Sequence, residues 1–161
     1  MSLICGIDPG FSGGIAFIDS ESGVQVYPMP VVVNGKHKFL DAEFVVSLFQ
    51  SPPTLVVIEE PIAMPKLSCK ATASTFRMVG RLEGICDGMG LPRMLVRPQD
   101  WYREILVGHP KKDKNDKPSL EYVMNRFRGL SLLPTDKSKK PSDGMSDAVC
   151  IALYGQKQIG V

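Results

Sequence analysis

Leu3-Ile4-Cys5-Gly6-Ile7-Asp8-Pro9-Gly10 is a short apolar run that delivers one carboxylate and then breaks on Pro and Gly. A run of that length reads as a buried strand. An acid at its very end is costly to bury unless it is paired or holds a cation. Asp-Pro-Gly is also good turn chemistry, so Asp8 by itself could simply open a turn. The decision between the two rests on the acids that follow further along the chain.

Working outward, Gly13-Gly14 turns the chain into Ile15-Ala16-Phe17-Ile18, and residues 19–23 turn it again into Val24-Gln25-Val26-Tyr27. Three strands joined by short turns predict an antiparallel meander. Pro28 and Pro30 end it, and residues 31–40 read as a loose connection. Asp41 is placed to cap a helix through Leu48 and Phe49, stopped by Ser51-Pro52-Pro53. Thr54-Leu55-Val56-Val57-Ile58 is β-branched and continuously apolar, the pattern of a central strand covered on both faces. It ends on Glu59-Glu60-Pro61, the second strand to carry an acid at its C-terminal end.

Beyond a loop at 62–70, Thr72 or Ser74 can cap a helix through Phe76, Met78, Val79, Leu82, Ile85 and Cys86. Gly80 and Gly84 lie one turn apart on it, and glycine costs helix stability, so a close packing contact is expected there. Arg93–Val96 reads as a fifth strand. Pro98 starts a helix with Trp101, Tyr102, Ile105 and Leu106 inward, where Trp101 reads as core. After a lysine-rich loop, Ser119 caps a helix through Leu120, Val123, Met124 and Phe127. The last helix runs from about Gly144 or Met145 to Tyr154.

That last helix supplies the other two acids. Asp143 and Asp147 are four apart and share a helical face. Capping explains Asp143 well, but Asp147 lies a turn further in among apolar residues. In an α/β sheet the strand ends converge on one edge. Asp8, Glu59, Asp143 and Asp147 gathered there would repel one another without cations, and oxygen-only ligands select Mg²⁺ or Mn²⁺. Two such ions about 3.5–4 Å apart support phosphodiester cleavage.

Size and composition agree with such a chemistry. The 161 residues suit one α/β domain, 1–161, and no stretch approaches the ~18 apolar residues of a membrane span. The absence of a basic segment before a long apolar one predicts no secretory signal and a cytoplasmic setting. The four cysteines (Cys5, Cys69, Cys86, Cys150) are scattered, with no C-x-x-C and only two histidines, which argues against zinc and for reduced, mostly buried thiols. Net charge is +2 but uneven: residues 97–140 hold eleven Lys/Arg against six Asp/Glu. Such a basic stretch suits phosphate-backbone contact, although lysine-rich loops are equally often just solvated.

In order along the chain, Gly6-Ile7-Asp8-Pro9-Gly10, Val57-Ile58-Glu59, the stretch Ser74–Gly84 with Gly80-x-x-x-Gly84, Val96-x-Pro98 and Ser146-Asp147-Ala148-Val149-x-Ile151-Ala152 resemble the motifs of RuvC-like Holliday junction resolvases of the ribonuclease H superfamily. Ala63-Met64-Pro65-Lys66, Pro98-x-x-Trp101 and Asp143-Gly144-x-x-Asp147-Ala148 are closer to the small phage-borne members, whose setting is the bacterial host cytoplasm. The resemblance implies a ribonuclease H-like five-stranded mixed sheet, with the meander 1-2-3 plus parallel strands, flanked by helices. It implies a homodimer that binds four-way DNA junctions and cuts two strands with two Mg²⁺ per site, Mn²⁺ substituting. It further implies that Asp8, Glu59 and Asp147 are metal ligands, with Asp8 bridging. Two departures stand out. The bacterial enzyme has a polar group where this chain has Gly144, leaving Asp143 as the substitute, and an aromatic where this chain has Ile62. Glu60 is an alternative to Glu59, with strand alternation favouring Glu59. Lys66, Lys70, Arg77, Arg81 and Lys117 are the candidate phosphate contacts; His37 and His109 are assigned no role. Two other readings stay open: an actin-like sugar kinase or ATPase, which shares a G-x-D-x-G opening but needs a second domain, and a catalytically silent branched-DNA-binding protein.

Overall fold

The computed structural model describes residues 2–19, 23–63, 68–110, 113 and 115–160. Its centre is a five-stranded sheet in the order β3-β2-β1-β6-β7. β1 (Leu3–Asp8), β2 (Gly14–Asp19) and β3 (Gly23–Pro28) form the antiparallel meander, while β6 (Leu55–Glu59) and β7 (Arg93–Val96) extend it in parallel. The two apolar runs that end in acids are therefore adjacent central strands. Their register pairs Ile7 with Ile58, so Asp8 and Glu59 follow side by side at the same edge.

Strand alternation sorts the core into two layers. Ile4, Ala16, Ile18 and Val57 pack under α5 (Asp143–Ile159), which α3 (Pro98–Ile105) and α4 (Pro118–Arg126) cover from outside. Cys5, Ile7, Ile15, Phe17, Val56 and Ile58 pack on the other face against α1 (Ala42–Leu48) and α2 (Cys69–Met89), through Val45, Phe49, Met78, Val79, Leu82 and Cys86. With both faces covered, β1 and β6 need apolar side chains at every interior position, hence their unbroken runs. α5, apolar around most of its girth, is the helix buried between sheet and outer helices. Gly6 allows this: a Cβ there would collide with Ala148 O and Ala152 N, so only glycine lets α5 rest directly on β1. Cys5, Cys86 and Cys150 are buried free thiols, and Cys69 is exposed.

The structure departs from the sequence reading in several places; α5 runs on to Ile159, past the expected end at Tyr154, and Met124 of α4, expected inward, is 53% exposed. Residues 31–40 are not a loose connection but a two-stranded hairpin, β4 (Val31–Asn34) with β5 (His37–Leu40), turned at Gly35 with φ 60°. Most of its residues are exposed, so no apolar alternation marks it. α2 begins well before Thr72 or Ser74, with the Ser68 hydroxyl accepting from Ala71 N. Its first turns are mostly exposed and carry no hydrophobic period; Phe76, expected inward, is 47% exposed. Within the chain, among the described residues, Gly80 and Gly84 make no close packing contact, since a Cβ on either would meet nothing within 4 Å. The buried stripe of α2 runs through Met78, Val79, Leu82 and Cys86 and leaves both glycines outward. Ser119 does not cap α4; Lys117 holds the cap position and Pro118 opens the helix. Among the described residues no helix is long and apolar enough to cross a membrane.

Candidate active site

Asp8 and Glu59 leave the sheet on the face that α5 covers, by the alternation that puts Ile4 and Val57 there. The N-terminus of α5 is brought onto the same spot. Ser142 caps it, its hydroxyl accepting from Met145 N, and the first turn lies against the β1–β2 turn. The contact is so close that a Cβ on Gly144 would collide with Ser12 O, lie 2.6 Å from Gly13 Cα and 3.0 Å from Asp8 Oδ2. The missing polar side chain at residue 144 is thus a steric requirement: the backbone of Ser12 and Gly13 takes that space, with the Asp8 carboxylate beside it. Asp143 and Asp147 flank Gly144 on the same helical entry.

Asp8 lies within electrostatic reach of the other three acids. The Asp8 carboxyl is pushed well above the usual carboxylate range, first by burial and then by the charges of Asp147, Glu59 and Asp143. Glu59 is raised to about 7 by burial, partly opposed by a hydrogen bond from Trp101, with Asp147 raising it further. That bond runs from Trp101 Nε1 to Glu59 Oε2 at 2.6 Å. Glu60, by contrast, is exposed, its backbone N–H donating to Val96 O. Asp143 differs from Asp8 and Glu59. Burial acts to raise it, but Lys117 and the backbone N–H groups of residues 143 and 144 hold its carboxyl below the ordinary value.

Lys117 Nζ lies 3.0 Å from Asp143 Oδ2. A buried hydroxyl pair holds the two there: Ser119 Oγ and Ser146 Oγ are 3.1 Å apart, pinning the start of α4 to the first turn of α5. Lys70, Arg77 and Arg81 lie on the exposed side of α2, beside the β4–β5 hairpin. Lys66 lies outside the described residues. His109 packs edge-on against Tyr122, and His37 lies beside Phe39. A cavity of about 610 Å³ lies at the opposite end of the sheet among Leu3, Asp19 and Thr54, away from the four acids.

Sequence reasoning placed Trp101 in the core, and at 4% exposure it is there. What it missed is the indole N–H, a lone donor that a buried tryptophan must satisfy, here on Glu59. A tryptophan on the helix that follows β7, the neighbour of β6, is the signal that was available.

As to a metal, among the described residues no three His, Cys, Asp or Glu side chains converge as a ready-made cage. The donor chemistry nevertheless fits a hard cation: four carboxylates without a thiol or imidazole among them, with the half-buried Asp8 in electrostatic reach of the other three.

No family model and no curated protein sequence matches the chain. Solved structures do. Thermus thermophilus RuvC in complex with a Holliday junction substrate superposes with a TM-score of 0.61 at 17% identity, over 98% of this chain and 96% of that one. The fold is that of the RuvC-type resolvases. A fowlpox virus resolvase in complex with substrate Holliday junction DNA matches with a TM-score of 0.53 at 12% identity, over 96% of this chain and 99% of that one. The yeast mitochondrial Holliday junction resolvase matches at 0.50 and 14% identity, over 98% of this chain and 84% of its own. The mixed sheet β3-β2-β1-β6-β7 with its flanking helices is thus the ribonuclease H-like arrangement expected from the motifs.

Proposed function

We propose that this chain is a metal-dependent, structure-selective endonuclease that resolves four-way or related branched DNA. The observation that carries the reading is the half-buried Asp8 carboxyl at the end of β1, in register beside Glu59 and against the entry of α5 that carries Asp143 and Asp147. A protein gains no stability from gathering four acids; a divalent cation turns that cost into binding energy. The shared fold supports the substrate class, because the Thermus and fowlpox relatives of that fold are seen with junction DNA.

In this reading Asp8, Glu59, Asp147 and Asp143 would hold Mg²⁺, which Mn²⁺ could replace. When bound, the ions supply an activated water and stabilise the leaving oxygen of the scissile phosphodiester. The chain's own groups prepare for this. Trp101 fixes Glu59 Oε2 by its indole N–H. Lys117 keeps Asp143 ionised and adds a cation at the rim where a phosphate arrives. Lys66, Lys70, Arg77 and Arg81 contact the DNA backbone. A homodimer supplies the second site needed for symmetric cuts.

The test is cleavage of a synthetic four-way junction with Mg²⁺ by the wild type and by Asp8→Asn. Junction cutting that vanishes in the variant is expected; equal cutting by both overturns the mechanism. Cleavage of flaps or single strands but not junctions overturns the substrate while keeping the chemistry. Solution mass at micromolar concentration reads the dimer directly.

A further inference from the structure

The β4–β5 hairpin stands against the N-terminal half of α2, and between them lies a cavity of about 420 Å³. Lys36, His37, Lys38, Lys70 and Arg77 line it together with Phe11 and Phe39. Arg81 closes the adjoining end, its guanidinium 5.9 Å from the centre of the Phe39 ring. No acid lines this groove among the described residues, and none of the five Lys/Arg makes an ion pair there. The aromatic content is equally unusual for a solvated face: Phe11 is 38% exposed, and the His37 and Phe39 rings sit 6.3 Å apart.

Gathered cations repel, and open rings cost hydration. An occupant with a polyanionic spine and flat apolar faces relieves both at once, as a single nucleic-acid strand does through phosphates and stacked bases. A duplex keeps its bases inside and would use only the cations. The size of the cavity suits a nucleotide rather than a helix. The location is equally specific. Phe11 is three residues on from Asp8 in the sequence, so its Cα is within about 11 Å of Asp8 Cα, roughly three nucleotides of helical rise.

We propose that this groove, built by Phe11, Lys36, Lys38, Phe39, Lys70, Arg77 and Arg81, holds an unpaired DNA strand beside the carboxylate centre. The inference rests on the branched-DNA reading and adds to it. The protein grips unstacked nucleotides at the branch, with a hairpin that no sequence pattern announced.

The test uses fluorescein-labelled (dT)12 in EDTA, with anisotropy read across a salt series, and junction cleavage measured separately. Wild-type binding should weaken steeply with salt. Lys36→Ala with Lys38→Ala, two exposed positions, should reduce the log–log salt slope by about 1.4, at ~0.7 per contact. Phe39→Leu should weaken binding about 5- to 150-fold while Phe39→Tyr retains it, because stacking needs a ring. No (dT)12 binding by the wild type, or an unchanged slope in the lysine variant, overturns the groove assignment even if junctions are cut. Binding that follows the variants without junction cleavage keeps the groove and overturns the nuclease.

Discussion

Replacing Trp101 by Phe removes the indole N–H together with part of a buried ring, and pH dependence tells the loss of the Glu59 bond from the loss of packing. The bond from Nε1 to Glu59 Oε2 favours the ionised carboxylate, in opposition to the burial that raises the group to about 7. A hydrogen bond to a charged acceptor is worth about 1.5–3 kcal/mol, or roughly one to two pKa units. Taking about one unit, because the carboxylate is not fully enclosed, the ionised fraction at pH 7 falls from about a half to about a tenth. Only the ionised form binds a cation, so kcat/KM at subsaturating Mg²⁺ drops about fivefold at pH 7. Above pH 9 the difference closes. The assay is junction cleavage between pH 6 and 9 at limiting Mg²⁺, with a carbon-13 titration of the Glu59 carboxyl on metal-free protein. An unchanged titration midpoint, or a loss equal at every pH, refutes the argument and leaves Trp101 as packing alone.

Three further outcomes follow from the same geometry. Asp8 and Glu59 are raised in the fold, so the metal-free native state holds protons that the unfolded chain has released; stability is fullest below about pH 4 and is lost as pH rises through the folded values. Glu59→Gln should therefore stabilise EDTA-treated protein at pH 8 by up to about 3 kcal/mol, Asp8→Asn should act in the same direction, and both gains should disappear near pH 4 in thermal melts. Gly144→Ala forces a Cβ against Ser12, Gly13 and the Asp8 carboxylate, and should cost about 1–3 kcal/mol in urea unfolding; a neutral result would mean that α5 sits farther from β1 than described. Gly80→Ala and Gly84→Ala face open space in the chain and should each raise the urea stability of the monomer by up to about 1 kcal/mol, a loss showing instead that this face is packed.

Much of this architecture was legible from residue order. The runs Leu3–Ile7 and Leu55–Ile58 read as buried strands, the second as one covered on both faces, because such a strand has no polar side. Helices that bury one stripe were visible through their period, as in α3 with Trp101, Ile105 and Leu106 inward. The hairpin and the first turns of α2 were not, for hydrophobic patterning reports burial and these segments are mostly exposed. The spacing of Gly80 and Gly84 likewise could not tell which side of α2 would be covered.

The acids divide the same way. Which four carboxylates to suspect, and that two of them end strands, came from the sequence alone: an acid closing an apolar run is conspicuous wherever the chain goes. That Asp8 and Glu59 share a face was decided by the register of β1 on β6, and that Gly144 must lack a side chain was decided by the approach of α5 to the β1–β2 turn. The partners that set each acid apart, Trp101 on Glu59 and Lys117 on Asp143, lie 42 and 26 residues away in the chain. Electrostatic environment is a property of distances in space, and those exist only once the sheet, α3, α4 and α5 have packed.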